Sequence, residues 1–323
     1  MLLTATMASS SPLATRAAED SAESSVALTA DERASVENSL RFYSELIEKE
    51  PDDVSWRMLR MSCRRKLGDS EGAAEDLAVV RKLDPHEADV EEGRQSFWSR
   101  DLETAHKFLS RAIDSEPTRS ADAYYYRALV YSEQRRFRHA LIDIARSLEV
   151  SEPLSQDVCR TCYQQAKIYH HLGQYENAVA AATNMIDRHF EIAINDAKRG
   201  LPIFPLNPHY YFLRASSYME LREYRRASDD FTTCEELGAR WPEMYDERAN
   251  CFRELGEVER EKVDRAQAAK LQAAEKQARL PEPGLIDLGP SVASSHGKAT
   301  PAPRADAPLR RGATNLLRGV IRR

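Results

Sequence analysis

The sequence predicts an all-α protein, an α-solenoid of stacked helix–turn–helix repeats between disordered ends. Three observations carry this. A four-residue anchor pattern recurs three times in one register. Apolar residues follow a period of about 3.6, the helical one, and not the alternation of strands. Glycine is scarce, 12 in 323 residues, and the apolar runs fall far short of the roughly 18 residues of a membrane-spanning helix. The expected organisation is a leader over 1–30, a helical array over 31–280 and a tail over 281–323.

Residues 1–18 lack acids and are rich in Ser, Thr and Ala, but they hold one basic residue, Arg16, and acids follow at Glu19, Asp20 and Glu23. The expectation is a disordered leader, with mitochondrial targeting by residues 1–18 as the alternative. The array opens on Ser39, Tyr43, Leu46 and Pro51, which look like the second half of a repeat. Trp56, Leu59 and Cys63 then precede Ala73, Leu77, Val80 and Pro85. One residue too many lies between Trp56 and Gly68, so a distorted first helix or turn is expected there. Gly93, Ala105, Leu109, Ala112 and Pro117 form the next copy.

The anchors are strongest in the middle: Ala128–Tyr131–Phe137–Ala140, Ala166–Tyr169–Tyr175–Ala178 and Ala215–Tyr218–Tyr224–Ala227. Tyr124, Ala128 and Tyr131 share one helical face. Small residues are expected where two helices cross closely, and Gly173 marks a tight turn. The stretch 184–208 continues a second helix through Ile186, Phe190, Ala193 and Ala197 until Gly200 and Pro202 stop it, about three turns later than in its siblings. Tyr245, Ala249, Phe252 and Gly256 open the last copy. Its second helix, 258–280, carries Glu261 in place of alanine and is long and charged, a solvating end to the array.

This pattern resembles the tetratricopeptide repeat, a helix–turn–helix of about 34 residues. The resemblance covers residues 35–270 and implies a right-handed superhelix of about six helix pairs whose first helices line a concave groove. The implied groove residues are Tyr125, Tyr126 and Leu129; Tyr163, Gln164, Lys167 and His170; and Phe212, Leu213, Ser216 and Met219. Aromatics and Met supply contact area at interfaces. Chaperone-binding members hold a terminal carboxylate with an asparagine that here would stand at Tyr126, Leu213 and Glu247, so a chaperone cofactor is disfavoured.

No residue pattern supports catalysis. Glycine-rich phosphate loops, G-x-S-x-G and kinase signatures are all missing from the sequence. Cys159 and Cys162 form a C-x-x-C, but no second ligand pair exists at metal spacing, so both read as buried packing residues. His170 and His171 point about 100° apart on a helix, which suits a solvated helix end and not a metal pair. Acidic pairs such as Asp229–Asp230 read as exposed faces. The expectation is a protein that is not an enzyme, with no cofactor and no metal.

The formal charge of −6 hides an asymmetry. Residues 281–323 hold seven Lys/Arg and three Asp/Glu, leaving −10 on the rest of the chain. An acidic body lacks the electrostatic footprint of a nucleic-acid binder. The tail is rich in Pro and Gly and reads as disordered. It ends in an amphipathic stretch of Leu309, Arg310, Arg311, Leu316, Leu317, Arg318, Val320 and Ile321, suited to an acidic protein surface. Five cysteines, too few and too scattered for a disulfide framework, fit a reducing compartment.

The expected function is a non-catalytic scaffold or adaptor, holding a peptide or partner helix in its groove within a larger assembly. The alternative is an autoinhibited switch whose tail occupies that groove. An enzyme subunit ranks below both. The expected location is the cytoplasm, with a cytoskeletal or ciliary setting as the narrower reading.

Overall fold

The computed structural model describes residues 28–153, 155–200 and 205–278. The leader, the residues from 279 onward and the whole predicted tail contact, Leu309 to Ile321, lie outside the described residues. Thirteen α-helices and one 3₁₀ turn make up the regular structure described. They divide in sequence between Pro153 and Leu154 into two compact units.

The first unit runs α1 (Ala30–Lys49), α2 (Val54–Lys66), α3 (Ser70–Leu83), α4 (Pro85–Trp98), α5 (Leu102–Ser115), α6 (Ala121–Glu133) and α7 (Phe137–Val150). Three hairpins, α2–α3, α4–α5 and α6–α7, stack on one another behind α1. The second unit holds α8 (Gln156–His171), α9 (Tyr175–Lys198), α10 (Pro208–Glu220), α11 (Tyr224–Glu236), α12 (Pro242–Glu254) and α13 (Val258–Ala278), again as three hairpins in sequence order. Each unit is thus an all-α stack of helix–turn–helix repeats, the class predicted.

Capping starts the helices. Thr29 and Glu32 form a reciprocal capping box on α1, and Asp53, Asp69, Asp84 and Asp101 accept from the first-turn amides of α2 to α5. Each cap contributes about 1 kcal/mol. Thr29 therefore sets the array's start just ahead of the expected residue 31.

One turn recurs in all six hairpins. Gly68, Arg100, Arg135, Gly173, Arg222 and Gly256 adopt positive φ, each seven residues after Met61, Gly93, Ala128, Ala166, Ala215 or Ala249. The residue that follows donates its amide to a carbonyl five residues earlier, as Arg136 does to Tyr131 (2.8 Å) and Gln174 to Tyr169 (2.9 Å). This satisfies the orphan carbonyls of the first helix and reverses the chain.

The anchors behave as packing residues. Ala128, Ala140, Ala166, Ala178, Ala215 and Ala227 are fully buried. At Gly93 the crossing is tighter: an added Cβ would lie 2.5 Å from Leu109 Cγ. The core of the first unit gathers Val90, Phe97, Leu109, Ile113, Tyr124 and Val130, each contributing about 1.5–3 kcal/mol by burial. The extended helix α9 has 24 residues against 14 in α7, with His189, Ile192 and Ala193 buried along its extra turns, and ends before Gly200 at φ 69°.

One expectation fails. α2 has 13 residues like α6 and is not distorted. Its register is set by Met61, fully buried in the small-anchor position, so Trp56 stands one residue ahead of the aromatic anchors. It stacks on Tyr43 of α1 instead, and its indole N–H donates to Glu50 (2.9 Å).

A second recurring feature lies across the hairpins. Arg60, Arg127, Arg214 and Arg248 each grip the aspartate 16 residues later, Asp76, Asp143, Asp230 and Asp264, through two parallel N–H···O bonds. Each guanidinium also donates to a hydroxyl on the second helix of the preceding repeat: Ser44, Ser110, Thr183 and Thr232, at 3.1–3.3 Å. The clasp therefore fixes both the hairpin and its stacking. Ser44 places α1 as the second helix of an incomplete repeat, as its anchors implied. In α4–α5 the three positions hold Glu92, Phe108 and Ala78, and in α8–α9 the first two hold Gln165 and Ala181. The members of the clasp are present together or missing together, because a lone buried charge is costly.

Candidate protein-interaction surface

In the first unit, the exposed edge of the first helices is organised by a buried carboxylate. Glu91 of α4 is 1% exposed. Arg65 of α2 pairs with its Oε1 and Arg94, one turn along α4, with its Oε2. Gln95 adds a bond to Oε1 at 3.2 Å. Burial works against the Arg94 charge, but Glu91 and a hydrogen bond with Tyr126 outweigh it and hold the guanidinium above its ordinary value.

An aromatic run adjoins these charges. Trp98 meets Phe97 edge-on at 5.1 Å, Phe97 meets Tyr126 at 6.3 Å, and Tyr126 meets Tyr125 at 5.2 Å. Exposure rises along the run. Phe97 and Tyr126 are buried, Tyr125 and Leu129 are half-buried against the core, and Trp98 is 49% exposed.

In the second unit, Tyr163 packs at 5.8 Å from Tyr210, and the Lys167 ammonium lies 5.6 Å over the Tyr163 ring. Burial pushes the Tyr210 hydroxyl up to about 12. Ser217 donates to the Leu213 carbonyl (3.0 Å), so its oxygen accepts from His170 Nδ1–H at 3.0 Å. Burial lowers the His170 pKa, which favours the neutral ring. Ser216 and Met219 are half-buried on α10, with the Ser216 hydroxyl donating back to Phe212 O (2.9 Å).

These positions correct part of the expected groove. Tyr126, Gln164, Phe212 and Leu213 are buried. Phe212 sits edge-on to Phe231 and Trp241, so it fixes α10 against α11 and is no contact residue. Tyr125, Leu129, Tyr163, Lys167, His170, Ser216 and Met219 keep partial exposure. His170 is a bonded, half-buried ring and not a solvated end. Asp230, read as an exposed acid, is 6% exposed and belongs to a clasp.

Trp98, Arg65, Glu91 and Arg94 escaped the sequence reading. The available signal was register: Trp98 stands five residues after Gly93, the small anchor of a weak copy.

Cys159 and Cys162 are buried as expected. Burial pushes the Cys159 thiol up to about 11 and raises Cys162 as well, which suppresses thiolate chemistry. Among the described residues, no group of three or more His, Cys, Asp and Glu is placed to hold a metal ion, and no helix is long and apolar enough to cross a membrane.

Residues 160–184 match the family profile described as tetratricopeptide repeat. No curated protein sequence matches the chain. Among solved structures it is similar to a crystal structure of MamA protein, with TM-score 0.50 and 10% identity, over 61% of this chain and 96% of that one. It is also similar to MamA 41-end from Desulfovibrio magneticus RS-1, with TM-score 0.48 and 10% identity, over 59% and 97%. A third is the APC/C hetero-tetramer Cut9–Hcn1, with TM-score 0.49 and 11% identity, over 72% of this chain and 43% of that one. Identities of this size bear on the fold alone. The matched segment spans the α8–α9 turn, and the other five hairpins repeat that turn, so the chain is built of helical hairpins similar to the tetratricopeptide repeat.

Proposed function

We propose that this chain is a non-catalytic scaffold that binds a peptide or partner helix on the exposed edges of its first helices. The observation that carries it is the grading of exposure within each unit. Aromatic and apolar side chains are anchored in the core at one end, and at the other Trp98, Tyr125 and Leu129, or Tyr163 and Met219, reach solvent. Rigid aromatic anchors on a fixed backbone are what binding energy concentrates on. Five buried, unpaired thiols suit a reducing cytoplasm.

The test is affinity purification from the native cell with full-length protein. Trp98→Ala/Tyr125→Ala and Tyr163→Ala/Met219→Ala are each compared with the unaltered chain, with circular dichroism checking the fold. A stoichiometric partner is expected, and one of the folded variants loses it. Retention of every partner by both refutes the surface.

A regulatory version rests on charge. α12 carries Glu243 and Glu247, both partly exposed, and in the tail Arg310, Arg311 and Arg318 carry the opposite sign beside the apolar Leu309, Leu316, Leu317, Val320 and Ile321. Deleting 304–323 then strengthens partner binding; unchanged affinity and salt dependence refute it.

A further inference from the structure

We infer that the α2–α4–α6 edge of the first unit docks an acidic peptide segment that also carries apolar side chains. This rests on the surface reading above and adds the chemistry of the occupant.

Charge decides the class. One carboxylate, Glu91, is shared by two guanidiniums, Arg65 and Arg94, so the cluster carries a surplus positive charge. Lys66, exposed beside Arg65, adds another. Glu133 on α6 does not cancel them, since Arg100 already pairs with it at 3.1 Å, and burial raises the pKa of Glu87, one turn before Glu91, which disfavours its charged form. The two arginine side chains are 30% and 39% exposed. Their remaining N–H groups are thus available at a protein surface, where a second carboxylate completes the pairing.

Geometry supplies the rest. Trp98 lies four residues after Arg94, so indole and guanidinium are neighbours on one helix face. Behind them Phe97 and Tyr126 are immobilised in the core, and Arg94 is tied to Tyr126. A ligand that meets Arg65 and Arg94 with carboxylates brings its apolar side chains onto Trp98, Tyr125 and Leu129. The chain's own basic tail has the wrong sign for this edge, and the occupant assigned here is an acidic segment of a partner protein.

The test uses full-length protein and three labelled synthetic peptides with the same Leu and Phe positions. Their other positions are Glu, Gln or Lys. Fluorescence anisotropy should show the Glu peptide bound at least about tenfold tighter than the Gln peptide, with the Lys peptide weakest. That preference shrinks as salt rises. Trp98→Ala weakens both the Glu and Gln peptides. Arg94→Gln removes the surplus charge and brings those two toward parity. Glu91→Gln frees both guanidiniums and widens the preference, a direction that a merely structural carboxylate would not produce. Lys66→Glu, at an exposed site, narrows it and serves if Glu91→Gln does not fold.

Equal affinity for the Glu and Gln peptides, with sensitivity to Trp98→Ala, overturns the acidic assignment and leaves the surface intact. No binding of any peptide, or binding indifferent to both Trp98→Ala and Arg94→Gln, overturns the proposal. The scaffold reading is then judged by its own purification experiment.

Discussion

Replacing Asp143 with alanine strands Arg127 between α6 and α7. The native pair is joined by bonds of 2.7 and 2.9 Å, with the side chains 17% and 4% exposed. Removing one partner of a buried pair costs about 3–5 kcal/mol. The residual exposure of Arg127 and its surviving bond to Ser110 place this case near the lower end, about 3 kcal/mol. The double change Arg127→Gln/Asp143→Ala reproduces the pairing that α8–α9 uses at Gln165 and Ala181. It should cost about 1 kcal/mol or less, because no buried charge remains unpaired. Urea unfolding followed by circular dichroism gives the global effect. Hydrogen exchange in α6 and α7 gives the local one, where about 3 kcal/mol means more than a hundredfold faster opening. If the single variant loses under about 1 kcal/mol, the pair behaves as a surface contact and does not set the register. If the double variant is as damaged as the single, the ion pair itself and not the avoided lone charge carries the stability.

Three further outcomes follow from particular sites. Gly93→Ala should lower stability by about 1–3 kcal/mol because the new methyl meets Leu109; helix propensity alone predicts a gain of about 1 kcal/mol, so the sign in urea unfolding decides. Arg135→Gly, at φ 58°, should be neutral or stabilising by up to about 1 kcal/mol as left-handed strain is relieved; a clear loss of melting temperature would show that the arginine side chain holds the turn. His86, His106 and His170 are all kept below their ordinary pKa, first by burial, with Arg119 adding at His86 and Arg127 at His106. The unfolded chain therefore takes up protons that the folded one refuses, and stability falls as pH drops below about 6.5. The melting temperature should decline between about pH 7 and pH 5, and less steeply in His170→Gln; a flat profile refutes the assignment.

The helix pairs were legible because the pattern that defines them is local. Ala128, Tyr131, Phe137 and Ala140 announce a hairpin by spacing alone, and the turn position follows from them even where arginine replaces glycine. Register failed at Trp56, where a large aromatic one residue out of place attracted the alignment that the buried Met61 controls. The interaction surface was harder to read. Position on a first helix does not separate Phe212, which packs on α11, from Met219, which keeps partial exposure; the neighbouring helices decide that. Glu91 was invisible for the same reason. Its partner Arg65 is 26 residues away on another hairpin, and only stacking brings them together. In four of the six hairpins the clasp was written in the sequence as an arginine before the first buried anchor and an aspartate 16 residues on, but a charge reads as solvent-facing until its partner is seen.

The terminal helix α13 looks like a soluble end-piece, and along most of its length it is exposed and charged. It nevertheless carries Asp264, the counter-ion of Arg248, whose side chain is 8% exposed and is also held by Glu235. A protease cut near residue 257 would remove more than a solubilising flank. It would leave a guanidinium inside the last hairpin with its main anion gone. The end of the array is thus defined by electroneutrality as much as by apolar cover, and limited digestion should spare the first part of α13 while trimming its exposed remainder.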